Sequence, residues 1–252
     1  MAKGTIAASG PSVPGRIQRL KEGLSWRWRF GLLPRLRRLL GIRDTQWCRV
    51  VSDRECASFV TSLGPASLDV LEFSPGSERW KAFGFKSYLS TSFPDYDVCA
   101  GPLRAEAFDL VIAEQVLEHV HWPYRAVKNV HQMLRPGGWF LVATPFLLRV
   151  HGYPDDCCRW TEMGLKYLLM EGAFPENGIR TGSWGNRACV KANFQRFASW
   201  IPWWHSLRDE PLFPIVVWAY AQKALPTLQA EWVNQKNPGR EREAASGPGE
   251  GS

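Results

Sequence analysis

Three observations predict a three-layer α/β domain built on a mostly parallel sheet. Short apolar runs recur at Leu68–Phe73, Phe85–Thr91, Phe108–Ala113, Trp139–Thr144 and Ile215–Ala221, and each has the length of a strand rather than of a helix. Stretches with helical spacing lie between several of them. The run Phe108–Ala113 is apolar almost throughout instead of alternating, as in a strand covered on both faces. Strands and helices that alternate in this order form a parallel sheet with helices packed on either side.

Composition sets the bounds. A chain of 252 residues with 45% hydrophobic and 22% charged residues holds one such domain with extensions. The formal charge of +7 is unevenly placed, since residues 1–50 carry a net +9 and the rest of the chain a net −2. The basic character therefore belongs to the N-terminal segment, and no nucleic-acid partner is expected for the near-neutral main domain. The six Cys form no CxxC pair and have no His at zinc-finger spacing, so no metal is expected from them. Reduced thiols and a cytoplasmic location fit a chain without a visible secretory signal. The longest apolar run, Phe213–Ala221, contains Pro214 and is about half the length of a membrane span.

Three segments are expected: a basic, partly disordered stretch over 1–45, the main domain over 46–224 and a flexible tail over 225–252. Within residues 16–43, Leu32, Leu33, Leu36, Leu39 and Leu40 share a helical face while the arginines fall elsewhere, and Pro34 and Gly41 read as the helix start and stop. This basic amphipathic helix packs on the domain, touches an anionic membrane surface peripherally, or acts as an organelle transit peptide.

Trp47–Leu63 reads as a helix ahead of the first strand. That strand ends at Ser74-Pro75-Gly76 with an acid, Glu72, at its exit. Ser77–Phe83 leaves room for two helical turns at most before the second strand. After Phe108–Ala113, Pro123 opens a helix with Ala126, Val127, Val130, Met133 and Leu134 on one face. Pro136-Gly137-Gly138 is expected to break this helix, with Trp139–Thr144 as another buried strand. Glu162–Glu171 reads as a helix ended by Gly172, and His131 as a solvated mid-helix residue. Residues 184–204 give no clear periodicity.

Three pieces stand together: Leu68–Gly76 (LDVLEFSPG), Phe108–Val120 (FDLVIAEQVLEHV) and Leu134–Phe146 (LRPGGWFLVATPF). In this combination and order the chain resembles the class I S-adenosylmethionine-dependent methyltransferases, in particular the large group called type 11. The resemblance covers about residues 68–223. It implies a Rossmann-like methyltransferase fold with S-adenosyl-L-methionine as cofactor. A further stretch, His151–Leu165 (HGYPDDCCRWTEMGL), looks like a segment that many bacterial members carry.

Carried over position by position, the first-motif acid matches Glu72, followed by Phe73, and the three motif glycines fall at Ser74, Gly76 and Glu78. Only Gly76 is retained, and Glu78 is expected to project a carboxylate near the methionine end of the cofactor. The acid that normally holds the ribose hydroxyls falls near Ser92, with Asp95 or Asp97 as substitutes if the loop folds back. Glu114 and Gln115 match positions that line the cofactor pocket.

Methyl transfer from a sulfonium is an in-line displacement, so positioning is the main demand on the protein. A base is needed where the nucleophile carries a proton, and His119, His121 and His151 are the candidates because imidazole titrates near neutrality. Asp155 and Asp156 are placed to orient a histidine or bind substrate. Arg159 suits a carboxylate or phosphate, and Tyr153 and Trp160 belong to the same substrate loop. Asp155-Asp156 after Pro154 is equally a plain turn, and Cys157 and Cys158 read as packing residues. The expected acceptor is a small molecule, a glycan or a lipid-linked group. The alternative is a binding or scaffold protein on a degenerate methyltransferase fold. A nicotinamide enzyme would need Gly-x-Gly-x-x-Gly after the first strand, which Ser-Pro-Gly-Ser-Glu does not supply.

Overall fold

The computed structural model describes residues 45–76, 78–152 and 155–226. The basic helix expected within 16–43, Tyr153 and the tail expected over 225–252, apart from its first two residues, lie outside them. The described chain forms helices α1 (Val50–Ser62), α2 (Pro123–Met133), α3 (Glu162–Glu171) and α4 (Arg187–Ala192). Its strands are β1 (Asp69–Phe73), β2 (Ser87–Thr91), β3 (Phe108–Glu114), β4 (Leu134–Pro145), β5 (Ile179–Trp184) and β6 (Val216–Gln222). They make one sheet in the order β2-β1-β3-β4-β6-β5. β6 pairs antiparallel with both of its neighbours, and the remaining pairs are parallel.

Side-chain parity along the strands divides the interior into two layers. Leu71, Val111, Phe140 and Val142 face one side and pack with Val127 and Val130 of α2 and Leu165 and Leu169 of α3. Val70, Leu110, Ile112 and Leu141 face the other side, against Cys56 and Val60 of α1, Trp80, Trp184 and Cys189. Each fully buried large apolar side chain contributes about 1.5–3 kcal/mol. The two helices packed on the Leu71 and Val111 face of the sheet are capped as their sequences dictate. Pro123 opens α2, and the Thr161 hydroxyl accepts the Gly164 N–H at 3.1 Å at the start of α3.

The ends of the sheet differ. At the amino ends of β1 and β3, Arg135 donates to both Asp69 (3.0 Å) and Asp109 (2.8 Å). At the carboxyl ends the chain runs from β1 to β2 on one side and then back across β1 to β3 on the other. This reversal opens a crevice, the usual place for a ligand in an open α/β sheet.

Three expectations are corrected. The helix does end ahead of Pro136-Gly137-Gly138, but β4 begins at Leu134 rather than at Trp139 and runs through that triplet. Gly137, at φ 81°, absorbs a register shift between the Phe108 and Leu110 pairings. The stretch without periodicity holds α4, and β5 just before it went unread: β5 sits at the sheet edge and packs its faces unequally. His131 is not a solvated residue. Its ring meets Phe174 edge-on at 5.0 Å, its Nε2 is buried with no hydrogen-bond partner, and burial pushes its pKa down from 6.5 to about 4.

Candidate cofactor cavity and acceptor cluster

A cavity of about 560 Å³ occupies the crevice at the carboxyl ends of β1, β2 and β3. That size suits a nucleoside-sized ligand. Two backbone turns shape it. Ser74, just past β1, has φ 48°, and Gln115, just past β3, has φ 56°. Such left-handed backbone is uncommon for residues other than glycine. Each is held by the neighbouring strand: the Ser74 N–H donates to the Thr91 carbonyl and the Gln115 N–H to the Ala143 carbonyl, both at 2.7 Å.

Of the residues assigned to the cofactor by resemblance, Phe73, Ser74, Ser92 and Gln115 line this cavity. Asp97 lines it too, so the loop after β2 does fold back. One Asp97 oxygen accepts the Cys99 N–H at 2.8 Å, which leaves its second oxygen for a ligand. Gly76 follows the lining residue Pro75, and a Cβ built there would meet no atom within 4 Å. Packing therefore does not demand glycine at this place, and the open space beside its backbone is room for a ligand to approach.

Two acids stand elsewhere. Glu72 is 4% exposed, faces the α1 layer rather than the cavity, and accepts a short hydrogen bond from the Tyr88 hydroxyl. Burial raises its pKa, the Tyr88 bond opposes the rise, and Glu114 on the same face adds to it. Glu114 corrects the expectation of a cavity-lining residue. Its carboxylate takes two bonds from Arg79 Nη2 (2.6 and 2.7 Å) and one from Trp80 Nε1 (2.8 Å). Arg79 also reaches Asp53 at 3.0 Å and lies over the Trp80 ring. This knot fastens the segment after the β1 turn to β3 and α1. Glu78 is corrected as well, because its exposed carboxylate pairs with Lys81 at 3.1 Å.

The edge of the cavity at His119 is built by a second fastening. The Glu118 carbonyl accepts the N–H groups of Cys157 (2.7 Å) and Cys158 (3.3 Å), and the Asp155 carbonyl accepts His119 Nδ1–H. These bonds dock residues 155–158 onto the turn after β3 and bring His151 beside His119, with ring centroids 5.3 Å apart. His119 also lines the cavity, so this cluster stands at the cavity's edge. The Asp155 carboxylate bonds His121 Nε2 at 2.8 Å on the exposed rim.

Asp156 and Arg159, read as substrate-binding, are occupied with each other. The Asp156 carboxylate is 3% exposed, takes Arg159 Nη2 at 2.6 Å and the His151 N–H at 2.7 Å, and is held at a pKa of about 2, chiefly by the Arg159 bond. Together they fix the position of His151. Trp160 packs against the core edge and supports α3. The vicinal cysteines are not packing residues: Cys157 is exposed, Cys158 half-buried, and their contribution is through the backbone.

The sequence reading missed Glu118. Its side chain has no exposed surface, and neither carboxylate oxygen has a hydrogen-bond partner. Burial pushes its pKa up to about 7, with the charges of His119 and Arg159 among the influences that oppose the rise. Oε1 lies 3.7 Å from His119 Nε2. The available signal was an acid embedded in the apolar run Val116-Leu117-Glu118, which a helix or strand core would not tolerate unpaired.

Residues 61–142 match a family model described as a methyltransferase domain, the type 11 group, and the match runs from the end of α1 into β4. Among curated proteins no sequence matches the chain. Similar solved structures include an S-adenosylmethionine-dependent methyltransferase from Mesorhizobium loti, 16% identical over 67% of this chain and 97% of its own, with a TM-score of 0.43. One from Archaeoglobus fulgidus is 11% identical over 69% and 94%, with a TM-score of 0.47. Phosphoethanolamine N-methyltransferase 2 from Haemonchus contortus, determined in complex with S-adenosyl-L-methionine, is 10% identical over 68% and 52%, with a TM-score of 0.46. The match to a type 11 methyltransferase domain covers about a third of the chain, and the residues that line the cavity at the strand ends all fall within it.

Proposed function

We propose that the protein transfers a methyl group from S-adenosylmethionine to a hydroxyl-bearing small molecule, glycan or lipid-linked acceptor. The observation that carries this reading is the contiguity of the β1–β3 cavity with the His119–His151 cluster at its edge. The cofactor supplies an electrophilic sulfonium methyl, displaced in line by the acceptor. What falls to this chain is to hold the two partners in near-attack geometry and to keep water from the reacting atoms. Ser74 and Gly76 offer backbone to the amino-acid end, Asp97 with Ser92 takes the ribose hydroxyls, and Phe73 and Val116 supply apolar walls. His119, whose Nδ1–H is taken by the Asp155 carbonyl, lines the cavity with His151 beside it, where the acceptor's hydroxyl would lie.

The acceptor class rests on chemistry and charge. Imidazole matches a neutral hydroxyl that must lose its proton. The basic amphipathic stretch within 16–43 suits an acceptor at an anionic membrane surface. Among the described residues no helix is long and apolar enough to cross a membrane, so such contact would be peripheral.

A degenerate binding protein is the competing reading, motivated by Ser74 and Glu78 at motif glycine positions. Thermal unfolding with S-adenosylmethionine, S-adenosylhomocysteine or NAD separates the two. A ligand at about a hundred times its Kd adds roughly 2.7 kcal/mol, worth roughly 5–10 °C for a domain of this size. Shifts with both adenosyl ligands and none with NAD are expected; a well-folded sample that moves with none of them refutes the enzyme reading.

A further inference from the structure

We propose that Glu118, His119 and His151 form a binding site for a divalent transition-metal ion of the zinc type, set at the edge of the cofactor cavity. The inference rests on the reading above for the ion's purpose, to hold and orient an acceptor oxygen, but not for its existence. Each of the three residues offers one ligand atom, and these atoms all lie within 4.8 Å of one another. Bonds of about 2.0 Å at tetrahedral angles place ligand atoms about 3.3 Å apart. His119 Nε2 and Glu118 Oε1, 3.7 Å apart, need to close by only a few tenths of an ångström.

Glu118 points to an ion independently of this spacing. A carboxylate with no exposed surface and no hydrogen bond to either oxygen is a costly arrangement unless something positive meets it. Arg159, whose charge bears on Glu118, is committed to Asp156. The histidines are arranged as ligating histidines are. His119 gives its Nδ1–H to the Asp155 carbonyl, which fixes the tautomer and leaves the Nε2 lone pair facing Glu118. His151 has the Asp156 carboxylate 3.3 Å from Nδ1, and that carboxylate is anchored in turn by Arg159 and the His151 N–H. Two imidazoles and one carboxylate leave a coordination position open, the arrangement of catalytic rather than structural zinc sites. Because His119 lines the cavity, that position opens toward the place where a methyl acceptor would lie.

The test is metal binding by the full chain, freed of metal by chelator dialysis, with affinity for S-adenosylhomocysteine measured on the same samples. Zn²⁺ is expected to bind at one equivalent with micromolar or tighter affinity in competition with a chromophoric chelator. Co²⁺ is expected to show visible absorption without a thiolate charge-transfer band. His151→Ala and Glu118→Gln should each weaken binding at least tenfold, while the double variant Cys157→Ser/Cys158→Ser should bind as the parent does. The half-buried His151 keeps the test open if the Glu118 variant fails to fold. A protein that binds S-adenosylhomocysteine but takes up no Zn²⁺ or Co²⁺ overturns the proposal. So does binding that survives both the His151 and Glu118 substitutions, or that the cysteine variant abolishes. Metal binding without adenosyl-ligand binding would leave this site standing and sink the cofactor assignment instead.

Discussion

Glu114 is where sequence and structure make opposite predictions, and Glu114→Gln decides between them. By resemblance, Glu114 lines the cofactor pocket; in the structure it closes a knot on the opposite face of β3. Its carboxylate accepts three hydrogen bonds from Arg79 and Trp80, and Arg79 is only 25% exposed at its side chain. A hydrogen bond to a charged group contributes about 1.5–3 kcal/mol, and such bonds are not additive within one network. Glutamine keeps one acceptor oxygen but sets an amide against the guanidinium. Arg79 retains Asp53 and the Trp80 face, and partial exposure softens the loss. The expected cost is about 2–3 kcal/mol, which lowers the unfolding midpoint by about 5–10 °C. Denaturant unfolding gives the energy and titration with S-adenosylhomocysteine gives the affinity. The structure predicts the loss in stability with an affinity changed by no more than about threefold, since the Glu114 carboxylate touches no cavity wall. A variant with the parent's midpoint and an affinity weakened tenfold would refute the reasoning and restore Glu114 to the cofactor.

Two further outcomes are open to direct measurement. Asp97→Asn should weaken S-adenosylhomocysteine binding about 5–20-fold, the worth of one charge-assisted bond to a ribose hydroxyl, with little change in stability because the oxygen bonded to the Cys99 N–H survives; an unchanged affinity in an isothermal titration would remove Asp97 from the site. His131 has a native pKa of about 4 against 6.5 in the unfolded chain, through burial and then the nearby Lys223, with Glu106 opposing. Its contribution is therefore intact above about pH 6.5 and lost as the pH falls toward 4, because the unfolded chain takes up a proton that the native state refuses. The loss is on the order of 2 kcal/mol after allowance for partial exposure. His131→Gln should flatten that part of the stability profile relative to the parent, and parallel profiles from urea unfolding between pH 7 and 4.5 would count against it.

The elements written in local periodicity were legible. α2 and α3 carry their own start signals in Pro123 and Thr161, and β3 is unmistakable as a buried run. Elements fixed by tertiary pairing were not. Pro136-Gly137-Gly138 breaks a helix or a regular strand in isolation, yet pairing of Leu134 with Phe108 draws it into β4 as a bulge. At the site, the residues that follow a strand end directly, Ser74, Ser92 and Gln115, line the cavity. Glu114 does not, and parity explains why. It shares a face with Leu110 and Ile112, whose side chains pack toward α1, while the cavity opens from the Phe73 side. The contact between His119 and His151 spans 32 positions and depends on the docking of Cys157 and Cys158 onto the Glu118 carbonyl. No spacing rule reaches that far.

The loss of glycines from the first motif is a question about backbone shape before it is one about chemistry. Glycine serves such a turn because left-handed backbone costs it nothing. Ser74 adopts that backbone anyway, at φ 48°, and its N–H is captured by Thr91 on the neighbouring strand. Gln115 does the same at the end of β3 with Ala143. A non-glycine residue in this region costs about 1–2 kcal/mol, drawn from the parallel pairing of β1 with β2 and of β3 with β4. The departure from the motif is therefore met out of folding stability, and the crevice keeps its form. Glu78, the other departure, turns its carboxylate to Lys81 and solvent instead of into the cavity. A chain drifting toward a mere scaffold has no need to hold two strained turns around an open cavity. Two such turns at neighbouring strand ends, where the sheet order reverses, give the form a ligand-binding crevice requires, which weighs for a domain that receives its cofactor.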